Sequence, residues 1–210
     1  MLKEVCLENF TKVPEAIEKG ARRVELCDNL AVGGTTVSPG VARVTLDYCR
    51  SRNVKVMSMI RPRGGDFVYN VDEIEIMKQD IIQLKEVGTD GVVFGCLTQD
   101  GWIDEEAMII LLEAATGLEV VFHMAFDAIM ADSQLKAIDW LVEHGVHRIL
   151  THGGPSDTKI VDNVDRLKTY IDHANGRIAI LPGGGVTSQN LEEITSLLGV
   201  KEAHGTRIVD

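Results

Sequence analysis

A short unit recurs four times along the chain and constrains its fold more than any other feature. In each copy a helix-like amphipathic stretch ends at a glycine, and an apolar, strand-like run follows within a few residues. The four glycines are Gly20, Gly88, Gly145 and Gly199. Glycine readily takes the left-handed conformation that ends a helix, so the chain can then turn into a strand. Helices that alternate with short apolar strands predict right-handed crossovers and a parallel sheet.

The whole pattern predicts eight strands, the number in a closed (β/α)8 or TIM barrel. The predicted strands cover residues 2–6, 22–27, 54–60, 90–95, 118–123, 146–151, 177–182 and 201–206. Capping residues place helix starts near Asn70 or Asp72, Asp104, Asp132 or Ser133, and Thr187 or Ser188. An open, doubly wound sheet is the alternative, although no G-x-G-x-x-G motif follows the first strand.

The last helix of the barrel is predicted to be missing or truncated, because the sequence stops at Asp210, soon after the eighth strand. Apolar barrel surface would then need cover from the amino terminus or a partner subunit, which predicts a homo-oligomer. No Pro/Ser-rich linker or low-complexity segment interrupts residues 1–210. We therefore expect a single domain.

Charge and hydropathy exclude several classes of partner. The formal net charge is -11 at pH 7, whereas nucleic acids and anionic membranes attract clustered Lys and Arg. No apolar run approaches the roughly 18 residues of a membrane span, and the amino terminus lacks an apolar secretion signal. Four cysteines in 210 residues do not form a disulfide framework. We expect a cytoplasmic protein with reduced thiols that binds neither nucleic acid nor membrane.

Polar, thiol and glycine residues follow the apolar runs, where a parallel barrel forms its active-site mouth. Alternation along the first two strands turns four side chains inward, namely Glu4, Cys6, Glu25 and Cys27. Strands about 4.8 Å apart would bring Cys6 and Cys27 side by side. Two thiolates at that spacing suit a soft ion such as Cu(I). Small core residues or a disulfide are the alternatives.

Other residues of the predicted mouth suit a small anion. Arg61 ends the third strand and can bind a carboxylate or phosphate, or else neutralise Glu4 or Glu25. A glycine pair, Gly153–Gly154, follows the sixth strand, and a triple glycine that includes Gly184 and Gly185 follows the seventh at Gly183. TIM barrels often bind phosphate through the loops after the last two strands, next to a helix amino terminus. The glycine loops are therefore predicted to bind an anion.

His123 and Asp127 end the fifth strand and begin its loop. A histidine near an acid can act as a general base, a proton donor or a metal ligand. Together with Glu25 they are the candidate catalytic residues. A hydrogen-bonded core histidine is the alternative for His123, and for His204, inside the last strand, we favour a structural role.

Several motifs resemble the CutC family, whose proteins are named for copper homeostasis. The resemblance runs from Glu4 to Gly205. Its motifs include Arg23-Val24-Glu25-Leu26-Cys27, Met59-Ile60-Arg61-Pro62-Arg63-Gly64-Gly65-Asp66-Phe67, Phe122-His123-x-Ala125-Phe126-Asp127 and Pro182-Gly183-Gly184-Gly185-Val186. The sequence departs from the family pattern at Met124, where arginine is expected, and at His152, where serine is expected.

The resemblance implies a cytosolic barrel involved in copper tolerance, with Cu(I) bound at Cys6 and Cys27. Two functions follow from the sequence as a whole. The first is copper homeostasis through the paired cysteines. The second is an enzyme, either a lyase, an isomerase or a hydrolase, that acts on a small anionic or phosphorylated metabolite. Arg61 and the glycine loops would bind its anion, and Glu25, His123 and Asp127 would exchange protons.

Overall fold

Eight strands alternate with seven α-helices in the computed structural model, which describes residues 1–209. The strands are β1 (Leu2–Glu8), β2 (Arg23–Cys27), β3 (Lys55–Met59), β4 (Gly91–Phe94), β5 (Glu119–Phe122), β6 (Arg148–Thr151), β7 (Ala179–Pro182) and β8 (Glu202–Gly205). The helices are α1 (Val13–Glu18), α2 (Pro39–Arg50), α3 (Val71–Val87), α4 (Glu105–Ala114), α5 (Gln134–Glu143), α6 (Val164–Ala174) and α7 (Leu191–Leu198). Every predicted strand is confirmed.

The strands form one parallel sheet in the order β7-β6-β5-β4-β3-β2-β1-β8, which is the order of a TIM barrel. The two end strands approach each other, because a Cβ added to Gly183 after β7 would lie 3.2 Å from the ring of His204 in β8. Just beyond their ends, Thr187 and Arg207 form a parallel bridge. The sheet therefore curves into a nearly closed barrel, and the predicted fold class is confirmed.

Alternation along the strands separates the apolar side chains into two layers. The outward layer packs against the helices and includes Val5, Val24 and Leu26. The inward layer fills the barrel with Cys6, Cys27, Met57, Met59, Val93, Val121, Leu150 and Leu181. Burial on both faces explains why the strands are almost continuously apolar in sequence. The predicted inward direction of both cysteines is confirmed.

Helix ends follow the local sequence closely. Asn70 begins α3 with a capping box that Glu73 completes, and the Asp104 side chain accepts the Ala107 N–H at the start of α4. Ser133 precedes α5. All four glycines of the recurring unit have φ between +67° and +103°, as the predicted helix-ending conformation requires.

The helix predicted to start near Thr187 or Ser188 begins at Leu191, although the Leu191 N–H already donates to the Thr187 carbonyl at 3.0 Å. Thr187 pairs with Arg207, and the Ser188 N–H donates to the Arg207 carbonyl at 2.9 Å. This segment therefore extends the barrel wall beyond β7 before the chain enters the helix.

Alternating charges close the amino-terminal end of the barrel. The ion-paired side chains are Glu4, Arg23, Lys55, Glu119, Arg148 and Glu202. Arg23 pairs with Glu4 and Glu202, and Arg148 pairs with Glu202 and Glu119. The partners come from six different strands, so these ion pairs tie the bottom of the barrel together.

Within the described residues no helix follows β8. The expected bare apolar surface is nevertheless absent there, because Ala203 on the outer face of β8 and Ile208 after it are fully buried. The homo-oligomer therefore stays a prediction, without support from this surface. None of the helices in residues 1–209 is long and apolar enough to cross a bilayer.

Candidate functional site

A cavity of about 480 Å³ lies at the carboxyl ends of the strands. Predicted site residues in its lining are Cys6, Glu25, Arg61, His123, Gly184 and Gly185. His204, Thr206 and Arg207 complete the wall formed by β8 and the segment after it. Residues from opposite ends of the sequence thus meet in one cavity, at the end of the barrel where the sequence predicts the mouth.

Cys6 and Cys27 lie side by side, with their Sγ atoms 3.9 Å apart and no disulfide between them. Cys27 is fully buried, whereas Cys6 keeps a 7% exposed fraction and reaches the cavity wall. The Cys27 Sγ also lies 3.7 Å from Glu25 Oε2. The predicted proximity of the two thiols is therefore observed, together with a carboxylate beside them.

Both cysteines are protonated thiols at neutral pH. The hydrogen bond with Cys27, burial and the charge of Glu25 raise the pKa of Cys6 well above its ordinary value. Although its hydrogen bond with Cys6 favours the thiolate, burial and Glu25 raise the pKa of Cys27 as well. Any metal bound here must displace the thiol protons.

A buried chain of charges leads from the bottom of the barrel to the cavity. Arg23 pairs with one oxygen of Glu4, and His204 Nδ1 lies 2.7 Å from the other. Burial raises the pKa of Glu4, but the hydrogen bond from His204 and the charge of Arg23 outweigh it and lower that pKa to about 2. Burial lowers the pKa of His204. The charge of Glu25 and the side-chain interactions with Cys6 and Glu4 outweigh burial and raise that pKa. An ionised glutamate therefore holds a charged imidazole.

Glu25 has one oxygen with partners and one without. Its Oε2 lies 3.8 Å from His204 Nε2, whereas its Oε1 is buried without a hydrogen-bond partner. Burial raises the pKa of this carboxyl group. A carboxyl group with a raised pKa and an unpartnered oxygen in a cavity wall can exchange a proton or bind a cation.

His123 presents a neutral N–H group to the cavity. Its Nδ1 accepts the Ala125 backbone N–H at 3.2 Å, and because an amide nitrogen can only donate, the ring proton is on Nε2. This Nε2 is buried and has no hydrogen-bond partner. Burial and the positive charge of Arg61 lower the pKa of His123 to about 3. The ring is therefore suited to donate a hydrogen bond, and proton transfer by it stays a prediction.

Arg61 lines the cavity, but its terminal nitrogens are engaged with backbone. They donate to the carbonyl groups of Val32 at 2.9 Å, Gly34 at 3.2 Å and Gly65 at 2.7 Å. Within residues 1–209 Arg61 pairs with no carboxylate, so the alternative that it neutralises a buried glutamate is wrong. Arg61 joins the loops after β2 and β3, and anion binding by it stays a prediction.

Asp127, Gly153 and Gly154 lie outside the lining of the cavity. The Asp127 carboxylate accepts hydrogen bonds from the Thr151 hydroxyl and from two backbone amides of the loop after β6, including that of Gly153. A Cβ at Gly154 would come 2.4 Å from Asn163, so this glycine allows close packing. The structure gives each of these residues a role in organising the loop, and their roles in proton transfer and anion binding stay predictions.

Sequence reasoning missed two residues of the cavity wall. His204 was assigned a structural role, yet alternation along β8 turns Ala203 outward and His204 inward, a signal that the sequence contains. Arg207 follows the last strand and is exposed at the cavity. Within residues 1–209 its guanidinium forms no hydrogen bond or ion pair. No local pattern in the sequence predicts its position.

The chain matches known proteins over its whole length. The model of the CutC family matches residues 1–209. A CutC family protein from Enterococcus faecalis is 59% identical over 209 residues and is covered completely, as is this chain. The copper homeostasis protein cutC homolog of Homo sapiens is 43% identical over 203 residues, which cover 97% of this chain and 72% of the human one.

Solved structures share the barrel. The crystal structure of a CutC protein from Streptococcus agalactiae superposes with a TM-score of 0.97 at 48% identity, and the match covers 100% of both chains. An aldolase, QR15, superposes with a TM-score of 0.66 at 14% identity, over 98% of this chain and 89% of the aldolase. At that identity the likeness concerns the fold alone.

Proposed function

This chain belongs to the CutC family, and from that premise we propose that it serves copper homeostasis by binding Cu(I) between Cys6 and Cys27. The 3.9 Å separation of the two Sγ atoms carries the proposal. Cu(I) prefers soft thiolate ligands. Metal–thiolate bonds measure about 2.3 Å in zinc sites, so a bent sulfur–metal–sulfur bridge fits this gap without a shift of either strand.

The surroundings of the two thiols also suit a soft ion. Met57 and Met59 belong to the same interior cluster, and Met59 lines the cavity through which an ion would enter. Thioether sulfur is a soft donor as well. All four cysteines are free, as the reducing cytoplasm in which we place the protein requires. Because Cu(I) competes with the thiol protons, its affinity rises with pH.

An anaerobic Cu(I) titration against a competing chelator tests this function. We expect the wild-type protein to bind one Cu(I) per chain and the Cys6→Ser/Cys27→Ser variant to lose that binding. The matched control is Cys49→Ser/Cys96→Ser, since both of these thiols are equally buried but belong to the outer core around the barrel instead of the interior cluster that holds Cys6 and Cys27. Full Cu(I) affinity in the Cys6→Ser/Cys27→Ser variant would overturn the proposal.

A second function is favoured by a separate observation, the unpartnered polar groups of the cavity. His123 Nε2 and Glu25 Oε1 have no hydrogen-bond partner, and Arg207 adds a positive charge. We propose on this basis an enzyme that acts on a small anionic or phosphorylated metabolite. Arg207 and the loop of Gly184 and Gly185 would bind the anion, His123 would donate a hydrogen bond to a substrate oxygen, and Glu25 would exchange a proton.

Calorimetric titration with inorganic phosphate and with sugar phosphates tests this second function. We expect Arg207→Gln to weaken binding by about tenfold or more, because in this proposal the Arg207 guanidinium contacts the anion directly. The control is Arg43→Gln on the exposed surface of α2. Equal binding by wild-type protein and Arg207→Gln would exclude this anion site.

A further inference from the structure

We propose that Glu25 and His204 complete, with Cys6 and Cys27, a four-donor site for Zn²⁺. The inference rests on the proposed metal site at the two cysteines and enlarges its ligand set. Three donor–donor distances support it: 3.9 Å between the Sγ atoms, 3.7 Å from the Cys27 Sγ to Glu25 Oε2, and 3.8 Å from that oxygen to His204 Nε2. The ligand atoms of Cys6, Glu25 and Cys27 all lie within 4.8 Å of one another.

These distances are close to the edges of a zinc tetrahedron. With metal–ligand bonds of about 2.0–2.3 Å, tetrahedral geometry places neighbouring donors about 3.3–3.8 Å apart. Ligand atoms of Cys6, Glu25 and Cys27 all lie within 4.8 Å of one another, as do those of Glu4, Glu25 and His204. Glu25 belongs to both groups. The two groups therefore share the Glu25 carboxylate, and His204 must move toward the two cysteines for all four donors to surround one ion.

The side chain of Glu25 independently indicates an unfilled ligand position. The residue is only 3% exposed, yet its Oε1 makes no hydrogen bond. A buried carboxylate oxygen without a partner is costly, since buried polar groups are almost always hydrogen-bonded. A cation bound at Glu25 would satisfy the carboxylate.

The residues behind His204 orient it as in known zinc sites. Zinc-bound histidines commonly donate their second ring N–H to a carboxylate, which fixes the ring and its tautomer. Here His204 Nδ1 donates to Glu4 at 2.7 Å, so Nε2 is the nitrogen that faces Glu25, and Zn²⁺ would displace the proton of this charged ring as well as the thiol protons. Arg23 holds the other Glu4 oxygen. The ion pair of Arg23 and Glu4 therefore orients the His204 imidazole for metal binding and also ties together the barrel floor.

The donor chemistry distinguishes this ion from copper. Two soft thiolates are enough to coordinate Cu(I). A tetrahedral set of two sulfurs, one imidazole nitrogen and one carboxylate oxygen is suited to Zn²⁺. Cys6, Glu25 and His204 line the cavity, which gives the ion a path from solvent. Four protein ligands would leave no open coordination position, so the bound Zn²⁺ would be held rather than used for catalysis.

Anaerobic titration of the metal-free full-length chain with Co²⁺, followed by Zn²⁺ competition, tests the site. Tetrahedral cobalt bound by thiolates gives sulfur-to-metal charge-transfer and intense d–d absorption, which Zn²⁺ should abolish. We expect Glu25→Gln and His204→Gln to weaken Zn²⁺ binding at least about tenfold. His152→Gln is the control, because His152 is equally buried but hydrogen-bonds to Gly183 and Thr158 instead.

The same variants separate the two metal proposals. Cu(I) affinity should survive Glu25→Gln and His204→Gln, since the two thiols remain. Unchanged Zn²⁺ affinity in both variants would overturn the four-donor site and leave the copper proposal standing. Full Cu(I) affinity in the Cys6→Ser/Cys27→Ser variant would overturn the copper proposal instead.

X-ray absorption spectroscopy of the zinc-loaded wild-type chain gives a second test, and its result does not depend on whether any variant folds. We expect two sulfur and two nitrogen or oxygen neighbours. A shell of only light atoms, or the absence of any charge-transfer band with Co²⁺, would overturn the inference.

Discussion

Arg23 and Glu4 form an ion pair inside the barrel, where their side chains are only 1% and 2% exposed. The same guanidinium pairs with Glu202 at 2.7 Å, and Glu4 accepts a hydrogen bond from His204. One arginine thus connects the charges that close the barrel floor with the histidine that faces the cavity. Removing one member of a buried pair leaves an uncompensated charge, which costs far more than the pair contributes in net stability.

We predict that Arg23→Met destabilises the fold by about 3–5 kcal/mol, because the buried Glu4 and the partly buried Glu202 lose their shared guanidinium and Glu4 keeps only His204. The free energy of unfolding by urea measures the effect. Lys55→Met is the control, since Lys55 is 54% exposed in its pair with Glu119, and exposed pairs contribute no more than about 1 kcal/mol. Equal effects of the two substitutions would contradict this account of the barrel floor.

The neutral ring of His123 predicts a pH dependence of stability. Its pKa is about 3 in the folded protein and about 6.5 when unperturbed. Below pH 6.5 His123 is therefore protonated in the unfolded chain but stays neutral in the folded protein, so the stability of the fold falls as the pH falls. Between pH 7 and pH 5 this single ring should remove about 2 kcal/mol. Urea unfolding at the two pH values measures it.

The control for this prediction is the same experiment on His123→Gln. That variant should lose less stability than wild-type protein between pH 7 and pH 5, by about the same 2 kcal/mol. An identical pH dependence of wild type and His123→Gln would show that the ring accepts a proton in the folded state.

The contacts of Arg61 predict that it holds two loops in place. Its guanidinium joins the backbone of Val32 and Gly34, after β2, to that of Gly65, after β3. Arg61→Gln should therefore speed amide hydrogen exchange in residues 30–36 and 62–67 while leaving the strands protected. Mass spectrometry of exchange measures this. Unchanged exchange in both loops would show that the hydrogen bonds do not restrain them.

The period of two along the strands was enough to predict much of this site. Because a buried parallel strand turns alternate residues inward, Glu4, Cys6, Glu25 and Cys27 could be assigned to the interior from the sequence. The meeting of Cys6, Glu25 and Cys27 toward the mouth followed from the parallel direction of all strands, whereas Glu4 lies toward the barrel floor. Local periodicity therefore predicts which side chains face inward, and the fold brings them to a common end.

The polar partners inside the barrel could not be predicted in the same way. Arg23 is 179 residues from Glu202, and His204 is 200 residues from Glu4. Such pairs depend on the angle at which the barrel closes between its first and last strands, which no local pattern specifies. Arg61 illustrates a second limit. Its partners are backbone carbonyl groups, which every residue type carries, so the sequence contained no signal for them.

The loop after β7 predicts a difference between two glycine substitutions. Gly184 has φ +73°, and an added Cβ would lie 2.9 Å from both the His152 ring and the Met124 side chain. Gly117 has φ +88°, but an added Cβ would meet nothing within 4 Å. Each alanine costs about 1–2 kcal/mol of backbone strain, so only Gly184→Ala adds a steric clash.

Gly184→Ala should therefore destabilise the protein by at least about 1 kcal/mol more than Gly117→Ala does. Thermal and urea unfolding of the two variants measure the difference. Gly184→Ala should also disturb the cavity wall, because His152 and Met124 must move to accommodate the methyl group. Equal costs would mean that the loop can shift away from His152 freely, and a loop that shifts freely could not hold Gly184 and Gly185 ready for an anion.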